Sequence, residues 1–255
     1  FNASRFLIGG AVLLPLIWVM NRGKEREKKR VKTAVTGGLC CGFILFVASS
    51  FQQFGVARTT VGKAGFLTAL YIVIVPLLGI FMKKKAAWNV WFSVALATAG
   101  MYLLCMTEGW KVGLGDVLVF VCAVCFSFHI LVIDVVSPKA DGVTISCIQF
   151  FTAGILSWIM AMIFETVRLS SVAAAWAPVL YAGVMSCGVG YTLQVVAQKN
   201  TDPVLASLIL SLESAFSLLA GWIILGQKLS LKELGGCLLV FAAIILAQIP
   251  VKKKR

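Results

Sequence analysis

Charge is what this sequence has least of. Only 13% of its 255 residues are charged, the acids number 10, and there is one histidine. Soluble domains carry roughly 25% charged and roughly 45–50% apolar residues. Here 60% are hydrophobic and the mean hydropathy is +0.97. Too few polar side chains remain to coat a soluble globule of this length. So few acids, and one His, also argue against an intramembrane enzyme, which needs convergent acids, His or metal ligands. No Gly-rich phosphate loop is present to drive ATP-powered pumping. No ring of charge or filter loop suggests a channel. No cofactor is implied.

The charge that is present is unbalanced, at +13 net. It sits in short clusters between long uncharged runs, which excludes the continuous basic face of a nucleic-acid binder. The partner is the lipid bilayer. The eight cysteines (40, 41, 105, 122, 125, 147, 187 and 237) lie almost entirely inside the apolar runs. That is not a secreted disulfide framework. Cys122 and Cys125 of CAVC read as packing residues rather than a redox or metal pair.

A spanning helix needs about 20 mostly apolar residues. Nine segments qualify: 2–20, 33–56, 60–82, 87–105, 115–134, 143–164, 174–197, 203–225 and 231–249. With short connections they make one all-α membrane domain. Alternate connections carry sixteen Lys and Arg on one side (22–32, 83–85, Lys139, Lys199, 252–255) and five on the other. The richer side is expected in the cytoplasm, with the C-terminus inside, in a cell membrane of bacterial cytoplasmic type. The chain opens with Phe1 inside a hydrophobic run and lacks a charged leader region. A start in mid-protein is expected, with one more helix in front restoring ten spans.

An internal repeat organises these spans. Residues 49–81 lie over 191–223 at an offset of 142, pairing Gln52 with Gln194, Thr59 with Thr201, Leu70 with Leu212, and Gly79 with Gly221. RFLIGG (5–10) lies over QFFTAG (149–154) at offset 144. The offset covers five helices, an odd number, so the two copies cross the membrane in opposite senses. The expected division is 1–106 and 112–250, two inverted five-helix repeats. That pattern is typical of secondary transporters, with the site near the midplane.

TTVGKAGFLTALYIVIVPLLG in the first copy and TDPVLASLILSLESAFSLLAGWIILGQKLS in the second resemble the paired signature helices of EamA-type transporters, in the drug/metabolite transporter superfamily. RFLIGG resembles that family's second helix. The resemblance covers the whole chain apart from the family's first helix. It implies ten helices, a central cavity, alternating access, and export or exchange of small metabolites such as amino acids, amines or drug-like compounds. Ser214 stands where the family often has Pro, which implies a straighter helix without a proline hinge.

The candidate site residues are the polar groups inside spans. Glu213 is the only charge between Asp202 and Lys228, near the middle of its span, and its repeat partner is Tyr71. A carboxyl there either binds a substrate cation or proton, or ties its helix to a neighbour; both readings stand. Lys63 either snorkels to the outer interface or lines a positive vestibule. Arg5 resembles the family's second-helix Arg and could pair with a carboxylate. His129 reads as cavity lining or packing, with a titratable switch as the alternative. Gln52, Gln149 and Gln194 read first as helix-to-helix hydrogen bonders and second as cavity lining. The helices at 87–105 and 231–249 carry no central charge and are expected at the periphery or at a homodimer contact. A sugar-nucleotide or lipid-carrier translocase of the same fold is the alternative function.

Overall fold

The computed structural model describes residues 1–22, 27–82, 87–105, 112–164, 175–225 and 230–249. Lys24 and Arg26 of the basic loop, Lys83–Lys85, Lys111, Arg168, Lys228 and residues 252–255 lie outside them. Helix is the regular structure of the described residues, in the order α1 (Asn2–Asn21), α2 (Lys28–Val56), α3 (Val61–Ala69), α4 (Tyr71–Phe81), α5 (Trp88–Cys105), α6 (Leu114–Val136), α7 (Gly142–Phe164), α8 (Trp176–Tyr181), a π-helical segment (Ala182–Tyr191), α9 (Thr192–Gln198), α10 (Pro203–Leu210), α11 (Leu212–Leu225) and α12 (Leu231–Gln248), with short turns among them. Among the described residues, seven helical segments are long and apolar enough to cross a membrane, and 88–104 and 203–216 are shorter apolar helices. Every expected span is helical, but three are interrupted: 60–82 at Leu70, 203–225 at Ser211, and 174–197 by the π segment. α2 begins earlier than its apolar run, because Lys28–Lys32 prolong the helix past it and Arg30 bridges Glu27 at 3.3 Å.

The chain divides into two units that each draw on both halves of the sequence. The first comprises residues 1–50 and 131–201. In it α1 packs against α7 on one side and the π segment on the other. Small residues permit this closeness, as bilayer packing favours. A Cβ on Gly9 would sit 2.6 Å from Cys187 Cβ, and one on Gly42 of α2 would sit 2.7 Å from the Gln149 carbonyl oxygen. A buried core of Ala34, Cys41, Ile133, Ala140, Ile145 and Val195 joins α2, the end of α6, α7 and α9.

The second unit comprises residues 51–130 and 202–255. Its firmest pairing is α5 with α12. Gly100 and Gly236 meet there so closely that a Cβ on either would lie within 2.8 Å of the other's carbonyl oxygen. Asn89 Nδ2 donates to the carbonyls of Leu246 and Ile249 (3.2 and 3.0 Å), satisfying orphan acceptors at the end of α12. Its start is fixed by a capping box between Ser230 and Glu233. The two helices without central charge are thus partners of one another. α10 packs on α4, and α3 on α5.

Candidate functional site

The residues that could act on a solute fall into two groups, one in each unit. Gln52, Lys63, Tyr71, His129 and Glu213 belong to the second, and Arg5, Gln149 and Gln194 to the first.

In the second unit, two spans break in mid-course. α3 begins after Thr60, whose hydroxyl accepts the Lys63 N–H (3.4 Å), and ends at Leu70, where ψ flattens to −12°. α10 begins after Asp202, whose carboxylate accepts the Val204 N–H (2.9 Å), and ends at Ser211, where ψ is −17°. The chain then resumes as α4 at Tyr71 and as α11 at Leu212 and Glu213. The expectation of a straight helix here, drawn from the missing proline at Ser214, is corrected by the break at Ser211. The cause is local: the Ser207 and Ser211 hydroxyls donate to the Val204 and Leu208 carbonyls (2.7 and 2.6 Å) and compete with the helical ladder. In α4, Pro76 lacks the N–H that would bond Ile72, which weakens the first turn.

Glu213 therefore opens a half-helix, where the dipole favours a negative group. The residue reaches the surface of the fold, and among the described residues no hydrogen bond or ion pair engages its side chain. Tyr71 is half-buried. His129 is fully buried on α6, its ring set edge-on to Phe126 (6.5 Å, 80°). Gln52 is half-buried near the end of α2. Lys63 is half-buried in the first turn of α3, close enough to Asp116 for the two charges to interact.

Asp116 had no place in the sequence reading. It accepts from the Thr59 hydroxyl and from the Gly113 N–H (2.9 Å), fastening the α2–α3 turn to the start of α6. Its signal was an acid next to the glycines of GLGD, where a loop enters a helix.

In the first unit, the Arg5 guanidinium lies 4.6 Å over the Phe6 ring and 5.7 Å from that of Phe1. Phe6 stacks on Phe150 (6.3 Å, 9°), and Phe150 meets Tyr191 edge-on (6.3 Å, 87°). The Arg5 Nε is buried without a hydrogen-bond partner among the described residues. A buried guanidinium Nε without an acceptor is costly, which marks Arg5 as a candidate to meet an anion. Gln149, on α7, is completely buried, and Gln194, on α9, is half-buried. Tyr191 closes the 10-residue π segment, a form enriched at functional sites. Sequence reasoning also missed Gln198, 2% exposed, with neither amide atom hydrogen-bonded among the described residues. In QKN it reads as an ordinary polar helix end.

Residues 1–106 and 113–248 match the profile of the EamA-like transporter family. An uncharacterized transporter of Archaeoglobus fulgidus is 27% identical over 257 residues, covering 98% of this chain and 77% of its own length. An uncharacterized transporter of Clostridium kluyveri is 24% identical over 261 residues, covering 94% of this chain and 80% of its own length. A crystal structure 18% identical in sequence aligns with 97% of this chain and 85% of its own at a TM-score of 0.78, a likeness of fold. Sequence, helices and relatives converge, and the chain belongs to the EamA-like transporter family, as an all-α, multi-pass membrane transporter.

Proposed function

We propose that this protein is a secondary transporter that moves small organic metabolites across the cytoplasmic membrane by alternating access, as an exporter or exchanger. The observation that carries the reading is the pair of interrupted spans, α3–α4 and α10–α11, with Tyr71 and Glu213 just after the breaks. Discontinuous helices in corresponding positions of two repeats are where transporters bind substrate and coupling ions. The caps at Thr60 and Asp202 stand 142 residues apart, the offset of the repeat, which favours the division into 1–106 and 112–250. A carboxyl facing hydrocarbon in mid-span is costly, which favours a Glu213 that borders an aqueous path and takes a proton or a substrate ammonium. Arg5, with its unanswered Nε beside Phe1 and Phe6, supplies a place for an anionic or planar group. The basic edge, including Arg22, Lys28–Lys32, Lys139 and Lys199, faces the cytoplasm, with the C-terminus.

The test is substrate-induced current in proteoliposomes, screened with pooled metabolites, for the wild type and Glu213→Gln side by side. Current in the wild type that vanishes in the variant, with binding retained, is the expected result. Normal current in Glu213→Gln would move Glu213 from coupling to helix packing. The absence of pH-dependent current from every pool would count against proton coupling.

A further inference from the structure

A cavity of about 480 Å³ opens in the first unit, bounded by the end of α1, the start of α2, the α6–α7 turn and the end of α9. One wall is apolar, from Met20, Val31 and Pro138. The rim carries Glu27, Arg30, Asp141, Thr144 and Lys199. Among the described residues, two acids and two bases share one opening, in a chain with more than twice as many bases as acids. A site for a simple anion would be basic throughout.

The four charges are not used up by one another. The Glu27–Arg30 bridge spans 3.3 Å between side chains 63% and 75% exposed, the kind of pair that contributes little and rearranges freely. Asp141 accepts both the N–H and the hydroxyl of Thr144 on the single oxygen Oδ2 (2.8 and 2.6 Å), capping α7 and leaving Oδ1 open. The Lys199 ammonium has no hydrogen bond or ion pair among the described residues. Directly beside the lining residues Pro138 and Lys199 in sequence, Ser137 and Gln198 are buried with hydroxyl and amide atoms unpaired among the described residues. Neither of these two lines the cavity itself, so a ligand would be held by the four rim charges.

We propose that this cavity binds a zwitterion, with an anionic group held by Lys199 and Arg30 and an ammonium held by Asp141 and Glu27. The apolar wall suits the carbon link between the two charges. The same chemistry occurs in a free zwitterionic metabolite and in a phosphoethanolamine lipid headgroup. Neither source requires that the protein transport anything, so the inference stands apart from the proposed function.

The experiment measures binding of phosphoethanolamine to the purified full chain by calorimetry, with inorganic phosphate and ethanolamine as single-charge probes. Phosphoethanolamine is expected to bind well ahead of either probe. Lys199→Gln and Asp141→Asn should each weaken it about tenfold, the usual value of a charge-assisted contact. Asn is as good a helix cap as Asp, so Asp141→Asn keeps α7 capped while removing the charge. Lys232→Gln, outside the cavity, is the control and should bind normally. Repeating the titration in nanodiscs separates the sources. Loss of binding in phosphatidylethanolamine discs but not in phosphatidylglycerol discs assigns the site to the lipid headgroup, whereas binding retained in both assigns it to the free metabolite. Equal affinity for phosphate or ethanolamine alone, or wild-type affinity in both variants, would overturn the proposal.

Discussion

Two spans of the second unit, α3–α4 and α10–α11, share one plan and end in different chemistry. Each starts from a capped end, at Thr60 and at Asp202, and each loses its straight course one residue apart in the repeat frame, at Leu70 and at Ser211. Beyond the break, one presents the phenol of Tyr71 and the other the carboxyl of Glu213. The means also differ: serine hydroxyls pull on the backbone of α10, whereas a proline weakens the opening turn of α4. The lesson is that the break is the shared feature and the residue after it carries the difference. Of the two, the carboxylic acid ionises far more readily than the phenol.

Exchanging those residues should separate the two copies most sharply. Glu213→Gln is expected to abolish substrate-driven current in proteoliposomes, while Tyr71→Phe should lower it only several-fold, the cost of about one hydrogen bond. Equal losses would make the two copies chemically equivalent and break the contrast. The next effect concerns the bend. Ser207→Ala combined with Ser211→Ala removes both hydroxyl bonds, and the straightened α10–α11 should slow uptake by about tenfold with little change in substrate binding, as expected when a conformational step limits turnover. Stopped-flow uptake beside equilibrium binding measures both; unchanged uptake would make the bend incidental. The smallest effects lie at the caps. Asp202→Ala should cost about 1 kcal/mol and Thr60→Ala less, because Thr60 makes the longer bond, 3.4 Å against 2.9 Å. Thermal unfolding in detergent reads both, and a larger loss at Thr60 would reverse the order.

The spans were legible because bilayer thickness imposes a length on every apolar run, and each of the nine expected segments is helical where it is described, seven of the helices being long and apolar enough to cross. The interruptions were not. Leu70 sits within FLTALYIVIV, a stretch with neither Gly nor Pro at the break, and hydropathy does not distinguish one long helix from two half-helices. The π segment left a fainter trace in the glycines of AGVMSCGVGY. Glu213 was legible as an isolated charge in an apolar run, and Arg5 likewise. Asp116 and Gln198 were not, because each lies near a helix end, where polar residues are ordinary, and what marks them is a partner or the lack of one in space. The pairing of α5 with α12 joins residues well over a hundred positions apart, which no local pattern reports.

The π segment has one more consequence. Within a bilayer, a helix must keep every backbone group paired, so most chain-length changes are excluded there. An i→i+5 turn encloses one residue more than an α turn while still pairing N–H with C=O. Between Ala182 and Tyr191, then, the chain holds slack that lineages can shorten or lengthen by a residue without opening the backbone to lipid. Relatives aligned across this stretch should show their gaps here, and Thr192–Gln198 should keep its place on either side of such a change.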